Sequence, residues 1–272
     1  MSILNRKKVL LAVTAGIAAY KTAFLVRLFI KEGAEVKVIL TPKAREFVTP
    51  LTLSTLSKNP VEWDFSEESG TWNNHVELGL WADFMVVAPA TANSLSKMAD
   101  GSSDNLVLAT YLSAKCPVYI APAMDLDMYQ HPTTKENLTK LESFGNIIIP
   151  AESGELASGL RGEGRMAEPE NILSFIANDL QKKAPLFGKS VLISAGPTYE
   201  KMDPVRFIGN FSSGKMGIEI AKSAANLGAD VILVCGPSSI STSNYNIKRI
   251  DVVSAMEMKE AMDSRFENSD IV

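Results

Sequence analysis

Histidine and cysteine are scarce, with two of each in 272 residues. Cys116 and Cys235 are too few for a disulfide framework and fit a reducing, cytoplasmic setting. With no His/Cys cluster at ligand spacing, no zinc site is expected. No apolar run approaches the roughly 20 residues that span a bilayer, so no membrane partner is expected either. An excess of one charge is also missing: 27 Lys+Arg against 31 Asp+Glu leave a net charge of -4. That balance gives no electrostatic case for nucleic acid. Arg6-Lys7-Lys8 precedes an apolar run at 9–13, which is too short for a signal-peptide core and reads as a buried strand. What is present, 46% hydrophobic and 21% charged residues, suits an ordinary packed protein of one large or two modest domains.

Strand and helix patterns alternate from the start. Residues 8–14 form a continuous apolar run, as in a strand buried on both faces. Residues 17–32 show helical spacing with Ala18, Leu25, Leu28 and Phe29 facing a core, Gly33 stops the helix, and 35–40 form the next strand. Strands at 84–88, 118–121 and 147–149 then alternate with helices at 104–115, 135–144 and 169–182. The pattern predicts an α/β fold: a Rossmann-like (flavodoxin-like) parallel sheet with helices on both faces. Charge, proline and glycine near 182–188 mark a linker. A first domain over 1–182 and a partial second Rossmann-like domain over 189–272 follow. In the second, 190–194 is a strand, 214–227 a helix and 254–266 another helix. Gly228-Ala229-Asp230-Val231 repeats Gly33-Ala34-Glu35-Val36. Asp270-Ile271-Val272 reads as the start of a further strand, so the second domain is expected to be truncated or completed by other residues.

Several segments fall at the carboxyl ends of strands, where ligands bind in open parallel sheets. Thr14-Ala15-Gly16-Ile17 turns the first strand into a helix and could present amides to a phosphate. The turn lacks G-x-G-x-x-G, and Leu40-Thr41-Pro42 offers no acid for a ribose diol, which favours a mononucleotide over NAD. The same turn could close the strand and bind nothing. Pro89-Ala90-Thr91-Ala92-Asn93-Ser94 could hold a ring edge or a phosphate, or serve as loop and helix cap. Ala123-Met124-Asp125-Leu126-Asp127-Met128 follows the fourth strand, and its methionines could equally fill a core. The glycine-rich stretch 153–166 is too flexible for a core and could close as a lid carrying Arg161 or Arg165. His131, before Pro132, reads as structural. His75 could be a general base or a satisfied structural histidine.

Together these motifs resemble the flavin-containing cysteine decarboxylases. The motifs are Thr14 to Lys21, His75, Ala88-Pro89-Ala90-Thr91-Ala92-Asn93, Pro122-Ala123-Met124-Asp125 with Met128, and Gly164-Arg165-Met166. The bifunctional branch joins a phosphopantothenoylcysteine decarboxylase to a phosphopantothenate-cysteine ligase. The resemblance implies FMN held by Thr14, Ala15, Gly16, Ile17, Thr41, Pro89, Ala90, Thr91, Ala92, Asn93 and Ala123. It implies 4'-phosphopantothenoylcysteine held by Asp125, Met128, Arg165 and Met166, with His75 as base and 4'-phosphopantetheine as product in coenzyme A biosynthesis. A homo-oligomer of trimers assembling to a dodecamer is also implied.

This sequence departs from the family pattern twice. Asp125 stands where asparagine is usual, and an ionised carboxylate can only accept hydrogen bonds. Ser158 matches the position of a lid cysteine that assists reduction. The alternatives are therefore an oxidative peptidyl-cysteine decarboxylase and a non-catalytic FMN-binding regulatory subunit. The second domain resembles the start of a CTP- and Mg2+-dependent ligase, which would give Asn210 a role at its acyl intermediate. Gly209 to Met216 has P-loop spacing, but Met216 replaces the Mg2+-binding hydroxyl and the loop does not directly follow a strand, so a P-loop is not expected.

Overall fold

The structure is a computed structural model that describes residues 2–66, 72–156, 158–243 and 245–272. The chain divides into two compact units, one over 4–176 and the other chiefly over 177–272.

In the first unit, β1 (Lys8–Val13) is buried from Val9 onward, as an apolar run covered on both faces must be. The single helix expected over 17–32 is instead a 3-10 turn, Ile17–Lys21, followed by α1 (Thr22–Lys31). The Thr22 hydroxyl donates to the Ala19 carbonyl at 2.6 Å, holding the tighter turn. That tightening shifts the buried face, so Ala19, Leu25, Val26 and Phe29 form the core stripe, and Ala18 and Leu28 are only partly covered.

The chain continues through β2 (Glu35–Leu40), α2 (Pro50–Ser57), β3 (Val61–Glu62), α3 (His75–Trp81), β4 (Phe84–Ala90), α4 (Ala92–Asp100) and α5 (Leu106–Ser113). It then forms β5 (Val118–Pro122), α6 (Leu126–Gln130), α7 (Pro132–Ser143), β6 (Ile147–Ile148), β7 (Glu152–Glu155), β8 (Arg161–Arg165) and α8 (Pro169–Lys182).

Parallel pairing gives a six-stranded sheet in the order β3-β2-β1-β4-β5-β6. The order reverses between β1 and β4, which opens a crevice at their carboxyl ends. Phe29, Phe84 and Tyr119 pack in sequence, with ring centroids 6.1 and 5.7 Å apart. Burial of each such side chain stabilises by about 1.5–3 kcal/mol.

Apart from Ala157, which lies outside the described residues, the stretch 153–166 is not loose chain. It forms the antiparallel hairpin β7–β8, and two of its glycines serve close approach. A Cβ at Gly162 would lie 2.6 Å from Leu126 Cδ1, and one at Gly164 (φ +131°) 2.6 Å from the Met124 carbonyl oxygen. The hairpin is therefore seated on the segment entering α6.

The second unit contains β9 (Ser190–Ala195), the hairpin β10 (Glu200–Lys201) and β11 (Phe207–Ile208), α9 (Lys215–Asn226), β12 (Asp230–Cys235), β13 (Ile247–Asp251) and α10 (Ala255–Phe266). Its parallel sheet runs β13-β12-β9, and Ile271 bridges Val191 on the far side of β9. The repeat seen in the sequence has one structural meaning. Gly33 and Gly228 both take positive φ, 84° and 92°, just before β2 and β12. The β10–β11 hairpin separates β9 from α9, so the strand-to-helix connection of a P-loop is not formed.

Candidate active site

The crevice between β1 and β4 is fixed by one side chain. Thr14, fully buried, donates from Oγ1 to the Pro89 carbonyl at 2.8 Å and accepts from the Thr91 amide at 3.2 Å. Thr14 thus joins the two loops, and Thr14, Pro89 and Ala90, expected to hold a cofactor, are buried beneath them and do not line the cavity. In front of them, Gly16 runs extended, and a Cβ there would stand 3.2 Å from Thr91 Cγ2. Thr91 is the N-cap residue of α4, but its Oγ1 donates to Ser94 Oγ at 3.3 Å and accepts from none of the first-turn amides, which leaves those amides for a ligand.

These segments open onto a cavity of about 960 Å³, a size suited to a small molecule or cofactor. Ala15, Gly16, Ile17, Thr41, Thr91, Ala92, Asn93 and Ala123 line it, as do Asp125, Met128, Ser158, Arg165 and Met166. Thr41 Oγ1 is buried and lacks a partner among the described residues. A donor left in that state within a cavity wall suits a polar ligand atom. Hydroxyls of Thr41 and Thr91, Asn93 and first-turn amides of α4, with apolar Ile17, Met124 and Met128 in the same lining, fit a phosphorylated, flat aromatic group such as a flavin mononucleotide.

The lid hairpin is tied to the first turn by an ion pair that sequence reasoning did not single out. Lys21, with only 4% of its side chain exposed, donates to the Met166 carbonyl at 2.9 Å and to Glu168 Oε1 at 3.0 Å. Arg165 Nη2 meets the same Glu168 oxygen at 2.5 Å. Burial alone would raise the Glu168 carboxyl, but the Lys21 hydrogen bond and charge, with Arg165, outweigh it and hold it below its ordinary value. A signal was present: Lys21 lies on the same helical line as Leu25 and Phe29, so a charge was placed on a buried stripe. On the cavity wall Lys97 pairs with Asp104. Its hydrogen bond outweighs burial and lowers the Asp104 pKa.

Of the residues expected at the decarboxylase site, His75, Thr14, Pro89 and Ala90 do not line this cavity. His75 starts α3 and packs edge-on against Phe65 and Trp72, at 6.2 and 6.4 Å between ring centroids. Asn210 belongs to the second unit, where its Oδ1 accepts from the Ser212 amide at 2.9 Å. His131 caps α7 through Nδ1, which accepts from the Thr133 amide.

A doubly wound parallel sheet with a polar-rimmed cavity at its switch point defines a nucleotide- or flavin-binding α/β protein. The family described as Flavoprotein matches residues 2–181, and the DNA/pantothenate metabolism flavoprotein C-terminal domain matches 186–272. The chain belongs to the flavoprotein family. It is 57% identical over 229 residues to a cysteine/cysteine sulfinic acid decarboxylase from an unknown prokaryotic organism, covering 82% of this chain and 64% of that protein. It is 45% identical over 273 residues to the coenzyme A biosynthesis bifunctional protein CoaBC of Bacillus subtilis (strain 168), covering 99% and 67%. The chain thus spans about two thirds of these relatives' length. Among solved structures, a PPC decarboxylase mutant complexed with pantothenoylaminoethenethiol superposes with TM-score 0.59 at 34% identity, covering 65% of this chain and all of that one. The FMN binding protein AtHal3 gives 0.58 and 34%, covering 65% and 98%.

Proposed function

We propose that the chain is an FMN-dependent carboxy-lyase that converts 4'-phosphopantothenoylcysteine to 4'-phosphopantetheine in coenzyme A biosynthesis, in a cytoplasmic setting. The observation that carries this reading is the convergence of the Gly16 turn, the uncapped start of α4 and the lid hairpin on one cavity. Similarity over nearly the whole chain to the Bacillus subtilis bifunctional protein supports the pathway. Similarity to the FMN binding protein AtHal3 supports the cofactor.

Thr41, Thr91, Asn93 and the amides of Gly16 and α4 would hold the FMN, with Ala123 lying against it. When bound, FMN would take two electrons from the substrate's thiol-bearing carbon, so that the carbanion left by CO2 loss is stabilised, and would return them to give the saturated product with no net oxidation. Arg165 offers guanidinium donors to a substrate anion beside the lid, and the Lys21–Glu168 pair keeps that lid down. His75 acts as base from a second copy of the chain, because its own chain does not bring it to the cavity. That role calls for a homo-oligomer, for which the proposed assembly is trimers building a dodecamer. The second unit contributes to a CTP- and Mg2+-dependent ligation, with Asn210 in its loop.

Mass spectrometry of the product after anaerobic incubation with 4'-phosphopantothenoylcysteine tests the reading. Saturated 4'-phosphopantetheine supports it, whereas a dehydrogenated enethiol means that Ser158 cannot replace a lid thiol and the enzyme is an oxidative decarboxylase. Recovery of unchanged substrate from flavin-loaded protein refutes the reading. A second substrate, free cysteine, is favoured by Asp125 and accords with the name of the 57% identical relative.

A further inference from the structure

The charges around the cavity are unevenly matched. Lys21 and Arg165 share Glu168, and Lys97 meets Asp104. Asp125, Glu155 and Lys43 line the same cavity with no ion-pair partner among the described residues, and of the two acids only Asp125 sits on the segment joined to the strand of Arg165 by the Met124–Gly164 bond. One of the Asp125 oxygens, Oδ1, accepts from the Leu126 amide at 2.6 Å and so caps α6. That bond fixes the rotamer and leaves Oδ2 for another donor.

The segment carrying Asp125 is bound directly to the strand carrying Arg165. The Met124 amide donates to the Gly164 carbonyl at 2.9 Å. A Cβ on Gly164 would lie 3.5 Å from the Asp125 carbonyl carbon, so the two backbones touch. An unpaired anion and a guanidinium with unused N–H groups therefore flank one contact at the cavity edge. An N-acylated cysteine presents a carboxylate and a neutral amide, for which an unpaired aspartate adds repulsion and no charge partner. A free α-amino acid presents a carboxylate and an ammonium.

We infer that Asp125 and Arg165 together recognise the zwitterionic head of a free cysteine-type amino acid, with Asp125 taking the ammonium and Arg165 the carboxylate. Asp125 is the specificity-determining residue for an unacylated amine. This rests on the flavin decarboxylase reading and deepens its second substrate class.

The test is calorimetric binding to the flavin-loaded full chain, with S-methylcysteine and N-acetyl-S-methylcysteine as ligands that carry no oxidisable thiol. A charge-assisted hydrogen bond corresponds to a preference of about tenfold or more for the free amine. Asp125→Asn, which preserves the helix cap, is expected to bring the two ligands to similar affinity. Arg165→Gln is expected to weaken both alike. If Asp125→Asn loses its flavin absorbance, Asp125→Ser provides the same comparison with another capping residue. An unchanged ratio in the Asp125 variant, or a wild-type preference for the acetylated ligand, overturns the inference and leaves the decarboxylase reading intact. A chain that takes up no FMN defeats that reading first.

Discussion

Lys21→Met removes the ion pair between the first turn and the lid while keeping most of the side-chain volume. Two bonds to a charged donor are lost, each worth about 1.5–3 kcal/mol. Glu168 is 37% exposed and keeps Arg165, so its share is reduced by solvent. The Met166 carbonyl, beside a buried side chain, loses its lysine donor. The net cost is about 2–3 kcal/mol, and for a unit of this size that lowers Tm by roughly 5–10 °C. Trp63, Trp72 and Trp81 all lie in the first unit, so tryptophan fluorescence melting reports on it selectively.

The pH dependence of this loss has a definite sign. Glu168 titrates lower in the folded chain than its ordinary value of 4.5. Its contribution is therefore present above about pH 4.5 and is lost as pH falls through the folded value. The gap between wild type and variant should narrow in acid but not close, because the bond to the Met166 carbonyl does not titrate. A Tm change under 1 °C near neutral pH, or a gap that widens in acid, would refute this account.

Thr14→Val keeps the shape but removes the link between the two loops. The expected destabilisation is about 1–3 kcal/mol by urea titration of tryptophan fluorescence, and a neutral result would show that the loops hold without it. Thr41→Val should act in opposite directions on the two forms. The FMN-free protein should gain about 1 kcal/mol because an unpaired buried hydroxyl is gone, while FMN titration should show weaker binding. His75→Ala should lower decarboxylation by about 10²–10⁴-fold with FMN uptake unchanged. Wild-type turnover in that variant removes His75 from the mechanism.

The doubly wound sheet was legible because its strands are apolar throughout and alternate with helical stripes. Val9 to Val13 and Phe84 to Ala88 could hardly lie anywhere but in a sheet covered on both faces. The family motifs also marked most of the cavity lining, because all but His75 fall at the carboxyl end of a strand. Local chemistry hid the rest. Nothing in 17–32 announced that the Thr22 hydroxyl would tighten the first turn and move the buried face from Ala18 to Ala19. Glycines in 153–166 suggested freedom, whereas Gly162 and Gly164 permit close packing on Leu126 and Met124. The Lys21–Glu168 pair joins residues far apart in sequence, and only the folded chain brings them together. His75 was readable as a candidate base but not in its position, since a single chain leaves it outside the cavity.

The central claim is that this cavity binds FMN and uses it to remove a carboxylate from a cysteine unit. Release of labelled CO2 from carboxyl-labelled 4'-phosphopantothenoylcysteine and cysteine, with FMN-loaded and FMN-stripped protein side by side, tests it most directly. The account predicts labelled CO2 from at least one substrate, and only when FMN is bound. Absence of labelled CO2 from both substrates, in protein whose absorption spectrum shows a seated flavin, would contradict it.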